Sequence, residues 1–143
     1  MNTNALMMKQ GVNSRVMQAL TVSNGLILTP DSKVWWRLAP AGSVELTTDG
    51  GAHWKTLPTG TDGQLTTGSA PSSRVCWLAG KNGTLLLTTD RGDHWSKIVS
   101  PIAGDLGGVH AVDEKHASIW AAANRVAFET ADGGATWKPI ANE

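Results

Sequence analysis

Three aspartates pose the first chemical question in this chain of 143 residues. Asp49, Asp90 and Asp132 each follow a threonine by two residues (Thr47, Thr88, Thr130) and precede a glycine by two (Gly51, Gly92, Gly134). Each also stands five residues before a tryptophan (Trp54, Trp95, Trp137). His53 and His94 lie four residues after the first two aspartates, and Thr136 holds that place after the third. Carboxylates in turns can ligate calcium, and imidazole is a common metal ligand. Spacing argues against both here. Roughly forty residues between aspartates put each in a hairpin of its own, and a histidine exchanged for threonine at an equivalent position reads as the start of a strand. The remaining chemistry is that of a staple. An aspartate can accept N–H groups of its own turn, and the glycine can take a positive φ at little cost. The tryptophan then re-enters the sheet and lays about 150–250 Å² of indole over the hairpin.

The elements that must position these turns repeat with them. The tryptophans lie 41 and then 42 residues apart, a period that signals a repeat architecture with one supersecondary unit per copy. Each period reads as four short strands broken by glycine-bearing turns. The units span about 25–58, 64–100 and 106–140. In the third, Asn124 stands where the others have a glycine turn, which reads as a hairpin one residue shorter. Residues 1–24 are a non-repeat segment. Met8, Val12, Val16 and Leu20 could stripe a helix, while residues 16–22 could instead form a capping strand. The expected fold is therefore all-β and propeller-like, with three four-stranded blades in a repeat domain over 25–143.

Thr47-x-Asp49-x-Gly51-x-His53-Trp54, Thr88-x-Asp90-x-Gly92-x-His94-Trp95 and Thr130-x-Asp132-x-Gly134-x-Thr136-Trp137 each match the Asp-box, or BNR repeat. With Trp36, Trp77 and Trp120 lying 13, 13 and 12 residues before the aspartates, the unit resembles a blade of the photosystem II assembly-factor group of β-propellers. Leu65–Pro71 and Val75-Cys76-Trp77 also resemble the C-terminal repeat region of some bacterial anti-sigma-factor-like membrane proteins. The resemblance covers about residues 26–140. It implies a hairpin in a propeller and says little of activity, because such boxes occur in sialidases, sortilin-type receptors, glycosidases, lectins and assembly factors.

Sialidase chemistry, with its implied tyrosine nucleophile and arginine cluster, fails at once: the chain has no tyrosine. Its arginines (Arg15, Arg37, Arg74, Arg91, Arg125) are scattered in sequence. Asp113 and Glu114 beside Lys115 read as a solvated loop, and Ser69, Ser72 and Ser73 lack the context of a nucleophile elbow. The expectation is a non-enzyme without metal or cofactor. Twelve basic residues against twelve acidic ones leave no electrostatic footprint for nucleic acid. The one cysteine, Cys76, reads as a small buried apolar residue. No apolar run approaches the length of about 20 residues needed to span a membrane, and no secretory signal is visible. The compartment stays open, an extracytoplasmic setting fitting a fragment of a longer protein.

What remains is a recognition module for a protein partner, in assembly or sensing, or alternatively a carbohydrate binder using tryptophan platforms. Trp36, Trp77 and Trp120 are expected in blade cores and Trp54, Trp95 and Trp137 over hairpins. That leaves Trp35, with Arg37 on the same strand face, as the candidate binding or oligomer contact. Propellers close with about four to eight blades, so three blades leave two end faces, expected to be apolar. A homodimer of six blades, a cap from residues 5–24 or a longer parent would cover them, and the dimer is favoured.

Overall fold

The computed structural model describes residues 25–61 and 63–140, which form twelve strands in three antiparallel four-stranded sheets. Blade 1 holds β1 (Leu26–Leu28), β2 (Trp35–Leu38), β3 (Val44–Thr47) and β4 (Lys55–Leu57). Blade 2 holds β5 (Leu65–Ser69), β6 (Cys76–Gly80), β7 (Leu85–Thr88) and β8 (Ser96–Lys97). Blade 3 holds β9 (Leu106–Ala111), β10 (Ala117–Ala121), β11 (Ala127–Thr130) and β12 (Lys138–Pro139). Strand order within each sheet follows the chain, as short connections permit only antiparallel neighbours. The all-β architecture of three four-stranded blades is thus the one expected. The helix or capping strand considered for residues 1–24 lies outside the described residues.

The cores lie between the blades. Successive side chains of a strand point to opposite faces, and β6 is buried at all five residues. Cys76 and Leu78, joined by Leu86 of β7, pack toward blade 1 against Ile27, Trp36, Val44 and Leu46. Trp77 and Ala79, joined by Leu85 and Leu87, pack toward blade 3 against Leu106, Val109 and Ile119. Blade 2 is therefore a sheet sandwiched on both faces, which explains why its strands are apolar without alternation. Each blade has a front, toward its predecessor, and a back, toward its successor.

The register of blade 3 overturns one sequence expectation. Trp36 pairs with Leu46 and Trp77 with Leu87, but the residue at that level in blade 3 is Ser118, opposite Glu129. Trp120 sits two residues farther along β10, opposite Ala127, at the level of Leu38 and Ala79. Cys76 precedes its partner Thr88 by 12 residues and Ala117 precedes Thr130 by 13. The third hairpin is longer by one residue, not shorter. Trp120 consequently lies half-buried on the back of blade 3, its indole filling the space a side chain at Gly108 would need. Tryptophan-to-aspartate spacing cannot show which side of a loop has taken the extra residue.

Candidate functional site

The three Asp-box turns share one hydrogen-bond pattern. In blade 1 the Thr47 hydroxyl donates to Asp49 Oδ1 at 2.7 Å, and its oxygen accepts the Gly51 N–H at 2.9 Å. Asp49 Oδ1 also accepts the His53 N–H at 2.9 Å, while Oδ2 takes His53 Nδ1 at 2.6 Å. Blade 2 repeats this with Thr88, Asp90, Gly92 and His94 at 2.8, 2.9, 2.9 and 2.7 Å. Blade 3 repeats it with Thr130, Asp132, Gly134 and Thr136 at 2.8, 2.9, 2.9 and 2.6 Å. Histidine and threonine alternate because each offers one donor to Oδ2. Gly51, Gly92 and Gly134 sit at φ of +97°, +88° and +93°, a region that strains other residues.

These bonds favour the charged carboxyl. The His53 side chain first, then its backbone N–H, holds Asp49 well below the usual carboxylate range. Asp90 is lowered to about 2, chiefly by the His94 side chain, and Asp132 to about 2, chiefly by Thr136. Hydrogen bonding to Asp90 raises His94 in return. Both carboxylate oxygens of each aspartate are thus engaged within its own turn. Among the described residues, no three His, Cys, Asp or Glu side chains converge to hold a metal ion.

The box tryptophans do more than cover their own hairpins. Trp95 packs edge-on against Trp36 of blade 1 with ring centroids 5.7 Å apart, and Trp137 against Trp77 of blade 2 at 6.4 Å. Trp77 Nε1 donates to the Asp113 carbonyl of blade 3 at 3.2 Å. The Asp-box is thus a joint between blades. Trp54, in blade 1, instead carries the Arg37 guanidinium 3.9 Å from its ring centroid. Arg37 Nε donates to Glu45 Oε1 at 2.7 Å. Trp35 lies against Gly51, a ring carbon 3.2 Å from where a Cβ would stand. Both sequence candidates, Trp35 and Arg37, therefore occupy the front of blade 1, turned away from blade 2. Trp36 and Trp77 are buried, and the other five tryptophans are half-buried.

Residues that looked scattered in sequence meet in a cleft of about 550 Å³ between β3–β4 and the Asp-box turn of blade 2. Lys55, Arg74, Arg91, Asp90 and Asp93 line it above Leu46 and Leu57. Arg74 and Arg91 are 17 residues apart, yet the Arg91 N–H donates to the Arg74 carbonyl at 2.9 Å. Arg91 Nε also donates to the Ser73 carbonyl at 3.2 Å. Equivalent backbone bonds link Gly50 to Lys33 and Gly133 to Lys115. The residue next to last in the first hairpin loop is therefore basic in every blade, a periodic signal that an alignment of the three repeats could have disclosed. No helix among the described residues is long and apolar enough to cross a membrane.

Comparison with known proteins bears on this geometry. No curated protein matches the chain. Among solved structures, a YCF48 bound to D1 peptide is 23% identical with a TM-score of 0.72, and YCF48 from Cyanidioschyzon merolae is 24% identical with a TM-score of 0.71. Each match covers 82% of this chain and 39% of the other, so the chain spans well under half the length of these relatives. An ancestral GH74 enzyme is 13% identical with a TM-score of 0.61, covering 83% of this chain and 18% of the enzyme. At such identities these likenesses show a shared propeller fold and nothing of activity. The family model is more specific, matching residues 28–143 with the description photosynthesis system II assembly factor YCF48. This partial β-propeller of BNR repeats is a member of the YCF48 family of photosystem II assembly factors.

Proposed function

We propose that the repeat unit, residues 25–143 with 1–24 as a segment apart, is a non-catalytic recognition module that holds a peptide segment of a protein partner during assembly. The observation that carries this reading is family membership, joined to a solved relative that holds a D1 peptide. The cleft between blades 1 and 2 has the chemistry for such a ligand. Lys55, Arg74 and Arg91 meet carboxylates, Asp93 meets amides or cations, and Leu46 and Leu57 form an apolar floor. Guanidinium groups suit planar carboxylates best, because they can donate two parallel hydrogen bonds. The sugar-binding alternative has no exposed tryptophan platform among the described residues to support it.

Fluorescence anisotropy with a labelled D1 peptide tests the reading on the full chain. Saturable binding that weakens at least tenfold in the Arg74→Ala/Arg91→Gly variant is the expected result. Glycine at 91 keeps the turn, since Arg91 sits at φ +60°. Binding unaffected by that variant would move the site elsewhere. Absence of binding to this and to a panel of unrelated peptides would end the peptide reading.

A further inference from the structure

At each junction, a blade offers its predecessor a notch at the box glycine. Gly92 of blade 2 receives Leu57 and Trp36 from blade 1, and a Cβ there would stand 2.7 Å from Leu57 Cδ1. Gly134 of blade 3 receives Ile98 from blade 2. Gly51 of blade 1 receives Trp35, a side chain of its own blade. The residues level with Trp35, opposite the box threonine, are Cys76 and Ala117. Both are too small to reach across their own blade, and both are buried.

Leu28, opposite Trp35, leaves one apolar side chain exposed on that face, but its centre is polar. Arg37 opposite Glu45 stands where Leu78 pairs with Leu86 and Ile119 with Phe128. Leu78, Leu86 and Ile119 are fully buried, whereas the Arg37 and Glu45 side chains keep 40% and 27% of their exposure. The two charges satisfy each other, and the arginine also covers Trp54. Trp54 is the box indole whose counterparts Trp95 and Trp137 are met by the preceding blade's tryptophan.

We propose that the front of blade 1 is a built-in cap, which refuses an Asp-box blade from a second copy of this chain. Docking a blade there would displace Trp35 from the notch and strip water from an ion pair, whose desolvation penalty can exceed its Coulombic gain. Repeat arrays need terminal units with polar outer faces for solubility. The same substitutions oppose the six-blade homodimer favoured from sequence, because that ring needs a blade on this face.

Sedimentation velocity of the 143-residue chain over a hundredfold concentration range tests the proposal. The unmodified chain is expected to sediment as a monomer throughout. W35C/R37L/E45L, which restores the pattern of Cys76, Leu78 and Leu86, is expected to shift to dimer mass or higher. The proposal falls if the unmodified chain associates and Arg37→Glu disperses it, or if the triple variant keeps its far-UV circular dichroism and stays monomeric. Should the triple variant fail to fold, hydroxyl-radical oxidation of Trp35 and Trp54 in the unmodified chain decides. Oxidation independent of protein concentration supports the cap, and protection that rises with concentration overturns it.

Discussion

Blades 1 and 2 carry the same box, the same turn and the same hydrogen bonds, yet their front faces differ in kind. Blade 2 presents Cys76, Leu78, Leu86 and Trp95 to a neighbour and is dry there, whereas blade 1 presents Trp35, a paired Arg37 and Glu45, and a covered Trp54. The lesson is that the box specifies the hairpin, while residues outside it decide whether a blade faces protein or water. The leucines stabilise a junction because another sheet removes them from solvent. The ion pair stays half-wetted and contributes little.

Removing an indole should break the comparison most visibly. Trp77→Ala is expected to cost about 3–5 kcal/mol, the range for large-to-small changes in a packed core, since Trp77 is fully buried between blades 2 and 3. Trp54→Ala at the half-buried front is expected to cost less than half as much. Urea unfolding midpoints of the two variants measure both, and equal losses would show that the front of blade 1 is as densely packed as the interior.

Next in size are the turn glycines. Gly50→Ala meets no atom within 4 Å and pays for a φ of +74° alone, about 1–2 kcal/mol. Gly92→Ala bears a similar φ and in addition drives a Cβ toward Leu57 and Trp36, so its thermal midpoint should fall well below that of Gly50→Ala. Matching midpoints would mean that the blade junction yields without strain.

pH separates blade 2 from blade 3 more finely. Asp90 and Asp132 are both depressed, so their stabilisation is present above the ordinary carboxylate value near 3.9 and is lost as pH falls toward about 2. His94 is raised, so its stabilisation is full below about 6.5 and is lost as pH rises through its elevated value. Blade 3 has Thr136 instead and no such alkaline loss. His94→Thr should flatten the decline in thermal midpoint between about pH 6 and 8.5, and an unchanged slope would exclude the pair as its source. Smallest of all, Glu45→Gln should lower stability by under about 1 kcal/mol. That difference should shrink in molar salt, and a larger, salt-insensitive loss would mean the pair is buried.

Much of this was legible in the chain. The Thr-x-Asp-x-Gly spacing points to the turn, because its bonds run between residues at most four apart. The period near 41 points to blades, because each turn recurs with its strands. Trp120 was misplaced for the opposite reason: its level in β10 depends on where a neighbouring loop absorbed one residue. The cleft was hidden as well, since Arg74 and Arg91 become neighbours only when two loops of one blade hydrogen-bond.

Local chemistry, then, was written in the sequence itself: strand, turn, box and the number of blades all rest on contacts within one period. Which face of a blade is front, which tryptophan meets which, and whether an end faces water were decided only by the tertiary structure. Those outcomes depend on side chains some forty residues apart packing across a junction. No spacing along the chain encodes the direction in which one twisted sheet stacks upon another.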